Sequence, residues 1–200
     1  RLEKTFKNTL KRFLFGRNEI TPIMGKREPT GGYIDEEAVH YVPLVVDPKP
    51  TDETISFQEE DSPVKIMMVS EFVRRKRIIE SLEVINRLKT NGYEIRLTII
   101  GNAKKVQTRE HYQRVKEYIV NCGLENNVIL LTDIAHERVM EEYEEHDIFI
   151  LPSIKESAGY SLLEAMSRGL PVICTEDTGL KECIAEGENG FIMENDNFDQ

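Results

Sequence analysis

Two carboxylates, Glu156 and Glu164, bracket Gly159 in the run Glu156-Ser-Ala-Gly-Tyr-Ser-Leu-Leu-Glu164. What lies on either side decides what they can do. Asp147-Ile-Phe-Ile-Leu-Pro152 is an apolar run of strand length closed by proline, and beyond Gly159 the residues Leu162, Leu163 and Met166 recur at helical spacing. Gly169 and Pro171 then stop the helix, glycine just past its end and proline two residues on. The segment is therefore expected to be a strand-to-helix turn, with Glu156 in the loop leaving the carboxyl end of a strand and Glu164 in the first turn or two of the helix. Open α/β sheets take ligands outside those strand ends, and a helix N-terminus offers unpaired N–H groups and a positive dipole end to an anion. Phosphate binding is the chemistry this implies. A second reading stays open, because Ser161-Leu-Leu-Glu164 also spells a capping box, in which the serine caps the helix and the glutamate returns a hydrogen bond.

A second cluster with chemical promise is Arg74-Arg75-Lys76-Arg77, which follows the apolar run Val64 to Val69. Cations at the carboxyl end of a strand suit an anionic ligand; a solvated helix start or a nucleic-acid patch are the alternatives. Neither cluster means anything unless the elements between them bring the two together. Strands are expected at Val64 to Val69, Glu94 to Ile100, Asn127 to Leu131, Asp147 to Leu151, Pro171 to Cys174 and Gly190 to Met193. Helices alternate with them: Ile78, Ile79, Leu82, Ile85 and Leu88 mark the first, and Val106 to Cys122 and His136 to Glu145 the next two. Short apolar runs alternating with helices imply βαβ units and right-handed crossovers. The fold class is α/β, a Rossmann-like domain whose parallel sheet is flanked by helices on both faces.

Composition fits such a domain. The 200 residues are 40% hydrophobic and 31% charged, and none of the apolar runs approaches the length of a membrane helix. The three cysteines, Cys122, Cys174 and Cys183, show no metal-ligand spacing and are expected to be reduced thiols of a cytoplasmic protein, with Cys174 in a buried strand. Charge is uneven. The net charge is −10, yet Arg1 to Arg17 holds six basic residues and one acidic, leaving a strongly acidic body that does not attract nucleic acid. Within that basic segment Leu2, Phe6, Leu10, Phe13 and Leu14 share one helical face, which suits packing against protein or, alternatively, peripheral contact with an anionic membrane surface. Gly16 to Glu37 is expected to be irregular, and Thr51 to Pro63 an acidic linker.

From Pro152 to Phe191 the matches run in order: Pro152, Ser153, Glu156, Gly159, Glu164, Ala165, Met166, Gly169, Pro171 and Val172, then Gly179, Glu182, Gly187 and Gly190. This pattern resembles the C-terminal, donor-binding domain of the group 1 retaining glycosyltransferases, whose fold is called GT-B. Weaker resemblance reaches back to about Tyr41, where Tyr41-Val-Pro-Leu-Val-Val-Asp47 is similar to the family's crossing from acceptor domain to donor domain. The implied organisation is a remnant of the acceptor domain over 1–40, a crossing segment and linker over 41–63, and a donor-binding domain over 64–200 that stops short of its last helices. Such a half is expected to bind a nucleotide sugar weakly and to need the missing N-terminal domain for transfer to a glycan or lipid-linked acceptor.

The resemblance also implies roles. Glu156 is the catalytic candidate, beside the donor sugar, and Glu164 is expected to bond the ribose hydroxyls. Lys76, with Arg74 or Arg75, is expected to reach the diphosphate, as are the backbone N–H groups of Gly159, Tyr160 and Ser161. Gly101 borders the nucleotide, and Thr132 to Ile134 border the base. The donor would be a UDP-, GDP- or ADP-sugar, held without a metal, since the chain has no Asp-x-Asp pair. Two departures stand out. Ser70-Glu71 replaces the family's Gly-Arg, placing a carboxylate where phosphate is expected, and Ser157-Ala158-Gly159-Tyr160 keeps only the second glycine of the family's loop. A dehydrogenase is disfavoured because Ser70 to Arg77 lacks glycine. A sugar-nucleotide epimerase of the same fold and a degenerate, non-catalytic nucleotide-binding or interaction module remain as rivals.

Overall fold

The computed structural model describes residues 62–157 and 159–195, and the structural statements below concern these. The chain divides into Arg1–Pro43 and Leu44–Gln200, and the described residues fall in the second unit. The basic segment, the crossing segment and nearly all of the expected linker lie outside them.

Six strands form the sheet: β1 (Val64–Val69), β2 (Ile95–Gly101), β3 (Val128–Thr132), β4 (Ile148–Leu151), β5 (Val172–Thr175) and β6 (Gly190–Met193). They run parallel in the order β3-β2-β1-β4-β5-β6. Four helices join them: α1 (Ile78–Thr90), α2 (Val106–Asn121), α3 (His136–Glu144) and α4 (Tyr160–Ser167). β1 and β6 have the expected bounds, and the other strands differ by one residue at their ends. At β5 the reason is chemical: Pro171 cannot donate to the ladder, and only its carbonyl takes part, accepting from Phe149 N at 3.0 Å.

The alternation along each strand feeds two cores. Ile66 and Met68 of β1 face one, with Ile78, Leu82 and Ile85 of α1 and Val115 and Ile119 of α2. Met67 faces the other, with Val139 and Tyr143 of α3 and Leu162 and Ala165 of α4. Since helices cover both faces, the middle of β1, Ile66 to Met68, is buried on both sides, and after Lys65 its sequence reads as a continuous apolar run instead of an alternating one. α4 ends as its glycine suggested, with Gly169 N donating to Met166 O at 3.0 Å and Leu170 N to Ala165 O at 3.1 Å.

One topological fact matters most for function. The chain turns from β1 toward β2 on one side and, after β3, returns to place β4 on the other side of β1. The loops leaving β1 and β4 therefore diverge and leave a crevice at the carboxyl edge, where sheets of this kind bind ligands.

Candidate functional site

After β1 the chain passes through Ser70 and Glu71 into a 3₁₀ turn, Arg74–Lys76. The carbonyl of Arg75 accepts from Ile154 N at 2.9 Å, tying this turn to the loop after β4 across the crevice. The basic run and the first glutamate thus meet. Lys76 Nζ donates to Glu156 Oε2, with both side chains nearly buried, and Arg75 Nη1 approaches the same oxygen at 3.3 Å. Oε1 of Glu156 accepts from Gly159 N at 3.3 Å. Burial by itself pushes the Glu156 carboxyl up, but the hydrogen bond and charge of Lys76, the charge of Arg75 and the Gly159 N–H outweigh it and hold the group below its ordinary value.

Backbone contacts fix this carboxylate from below. Glu156 pairs with Thr178 in an isolated parallel bridge, and its carbonyl accepts from Gly179 N at 2.7 Å. Lys155, just before it, has φ 55°, and its N–H donates to Asp177 Oδ2 at 3.0 Å. Arg77 and Asp133 share that left-handed conformation, so each of the loops leaving β1, β3 and β4 carries one such non-glycine residue. A left-handed side-chain-bearing residue costs of the order of 1–3 kcal/mol, and residues of this kind gather at ligand sites.

Glu164 is oriented differently from what a capping box requires. Gly159 occupies the N-cap position of α4 with φ 60°, a conformation glycine adopts without strain, and no side chain caps the helix. Ser161 lies inside the first turn. Glu164 Oε2 accepts from Tyr143 Oη at 3.1 Å, while Oε1 lies 3.7 Å from His136 Nε2. The capping-box reading is thereby corrected: the helix starts at Tyr160, so Ser161 lies too far in to cap it, and the glutamate points to α3 and the crevice.

The crevice is a cleft of about 470 Å³. Lys76, Glu156 and Glu164 line it together with Gly159, Tyr160 and Ser161 at the start of α4. Gly101 and Ile134 line its other end, with Asn102 and Asp133 beside them; Thr132 does not reach it. Arg74 and Arg75 also lie outside the lining, Arg75 acting on the cleft through Glu156. Tyr160 is half exposed at the rim. Gly101 has a packing reason to be glycine: a Cβ there would lie 2.2 Å from the Ser70 carbonyl and 2.8 Å from the Phe72 ring.

Glu71, the carboxylate placed where phosphate is expected, lines the cleft too. Lys105 neutralises it with an ion pair at 3.0 Å, and this hydrogen bond is the chief reason its carboxyl sits below the ordinary value. Sequence reasoning missed Lys105, and it missed Tyr143 and His136 as partners of Glu164. For Tyr143 a signal existed, since a tyrosine on the apolar face of a helix needs a partner for its hydroxyl. Nothing in the local pattern pointed to Lys105 or His136.

Comparison with known proteins follows the same lines. The family model described as glycosyl transferases group 1 matches residues 51–200. The chain belongs to this family. Among curated relatives, the amylovoran biosynthesis glycosyltransferase AmsK of Erwinia amylovora is 29% identical over 136 residues, covering 65% of this chain and 32% of AmsK. The chain thus spans about a third of the length of that relative. A glycosyltransferase structure from Rickettsia africae superposes with a TM-score of 0.61 at 26% identity, over 70% of this chain and 35% of that one. An Anabaena protein, HepE, solved with UDP and glucose, shares the fold at a TM-score of 0.58 and 21% identity, over 66% of this chain and 35% of its own. Membership of the glycosyl transferases leaves the epimerase alternative without support.

Proposed function

We propose that this chain is the donor-binding part of a retaining glycosyltransferase that transfers a hexose from a nucleoside-diphosphate sugar to a glycan or lipid-linked acceptor, as in surface polysaccharide synthesis. The observation that carries the proposal is convergence: Lys76, Glu156, Glu164 and the first turn of α4 line one cleft at the carboxyl edge of a parallel sheet, between β1 and β4. Each supplies something that the reaction needs. The start of α4 and Lys76 offer N–H groups and positive charge to a diphosphate, and more so as its bond to the sugar breaks and charge develops. Glu164 offers a fixed acceptor to ribose hydroxyls, and Glu156 a carboxylate beside the sugar that gains positive character in the transition state. AmsK, named for amylovoran biosynthesis, supports the polysaccharide context. No helix among the described residues is long and apolar enough to cross a membrane. Acceptor binding and any peripheral membrane contact belong to an N-terminal domain, outside the described residues.

Calorimetric titration tests this reading. UDP is the first probe, since the Anabaena protein of the same fold was solved with it, followed by GDP and ADP. Heat of binding is expected for one of the three, and equally in EDTA, because the proposal assigns the diphosphate to side chains and helix N–H groups and to no metal. Glu164→Ala is expected to weaken that binding by about 1–3 kcal/mol through lost charge-assisted hydrogen bonds. If none of the three nucleotides binds, or if Glu164→Ala leaves affinity unchanged, the assignment fails.

A further inference from the structure

We propose that Tyr143 is a positioning residue: its hydroxyl holds one oxygen of Glu164 so that the other is presented to the ribose diol of the donor. The proposal rests on the reading of the cleft given above and deepens it. Tyr143 lies on α3, 1% exposed, with its ring tilted against Phe149 at a centroid distance of 5.7 Å. Its hydroxyl reaches two acceptors on α4, Glu164 Oε2 at 3.1 Å and the Ser161 carbonyl at 3.2 Å. One phenolic proton is therefore aimed between a catalytic-edge carboxylate and the backbone of the turn that begins the helix. Burial, and then the neighbouring Glu164 charge, push the phenol well above its ordinary value, so it stays a donor at any working pH.

The consequence is steric and electrostatic. With Oε2 engaged by Tyr143, the rotation of the Glu164 carboxylate is restrained and Oε1 is the oxygen left without a short side-chain partner, 3.7 Å from the exposed imidazole of His136. A carboxylate held in this way meets vicinal hydroxyls without first losing rotational freedom, so ribose binding is pre-organised. It also follows that Tyr143 should matter only to ligands that carry the hydroxyl Glu164 bonds. A residue that merely fills the core would affect all ligands alike.

The test uses UDP, GDP and ADP and their 2′-deoxy counterparts, with affinities from calorimetry on Tyr143→Phe, which keeps the ring and removes the hydroxyl. The wild type is expected to bind the ribonucleotide about tenfold more tightly than its deoxy form, by one charge-assisted hydrogen bond. In Tyr143→Phe this preference should shrink to within about threefold, chiefly through weaker ribonucleotide binding. Should the hydroxyl loss compromise folding, the unfolded fraction lowers the apparent affinity for ribo and deoxy forms by the same factor, so their ratio still reads the positioning role; Glu164→Gln, with the tyrosine intact, should lose the same preference. An unchanged ratio, or equal losses for ribo and deoxy forms, overturns the positioning role while leaving the nucleotide site intact. Absence of binding by the wild type overturns the functional reading and this inference with it.

Discussion

Replacing Lys76 with methionine is expected to lower folding stability by about 3 kcal/mol, because removing one member of a buried ion pair leaves the other charge without compensation. Glu156 is 9% exposed and Lys76 8%, and the half-exposed Arg75 at 3.3 Å recovers only part of the lost interaction. The same change should weaken nucleoside diphosphate binding by at least about 1.5 kcal/mol, a typical charge-assisted contact, while the bare nucleoside binds as before. Stability and binding can be separated. Lys76→Met combined with Glu156→Gln removes both charges and should regain most of the stability, since well-packed neutral replacements of buried pairs are often close to neutral. It should not regain diphosphate affinity. Urea unfolding and calorimetry read the two quantities. A single variant as stable as the wild type would show that the pair does not hold the loops, and equal losses for nucleoside and diphosphate would show a disturbed cleft instead of a lost contact.

Glu156→Gln is expected to move catalysis and product binding in opposite directions. In the complete transferase, kcat should fall roughly 10²-fold or more with a much smaller change in KM, because a charge that acts in the transition state is lost while size and much of the hydrogen bonding remain. UDP affinity, by contrast, should rise several-fold. In the present structure Glu156 engages both Lys76 and Arg75, and Lys76 lines the cleft, so a diphosphate must compete with the carboxylate for that ammonium; an uncharged glutamine competes less. Acid should act in the same sense. The Glu156 carboxyl is held below its ordinary value of 4.5, so its contribution to folding is complete above that pH and is lost as pH falls through the depressed value. Glu156→Gln should accordingly flatten the acid limb of the stability profile. Turnover at the wild-type rate would make the carboxylate structural, and unchanged UDP affinity would mean that the Lys76 ammonium is not shared.

Much of this was legible in the linear pattern, for identifiable reasons. Val64–Val69 and Gly190–Met193 appear as strands with the expected bounds because both are short apolar runs between turn residues. The end of α4 was marked by Arg168-Gly169-Leu170-Pro171, whose stop signals are local. The turn carrying Glu156, Gly159 and Glu164 was likewise recognisable, since periodicity changes from strand to helix within a few residues. Local chemistry misled at Ser161, where serine and glutamate at capping spacing meet a helix already begun by left-handed Gly159.

The sequence by itself determined the α/β class, the strand and helix succession and the placing of Glu156, Glu164 and the basic run at strand ends, because each depends on neighbours within a turn or two. Tertiary structure alone decided what these groups touch. That β4 lies beside β1, bringing Arg75 and Lys76 onto a carboxylate 81 and 80 residues away, follows from crossovers that no local period encodes. That Lys105 neutralises Glu71, and that Tyr143 holds Glu164, depend on side chains of separate elements meeting at the ends of packed helices. Periodicity records which face of an element is buried; the partner across that face is set by packing.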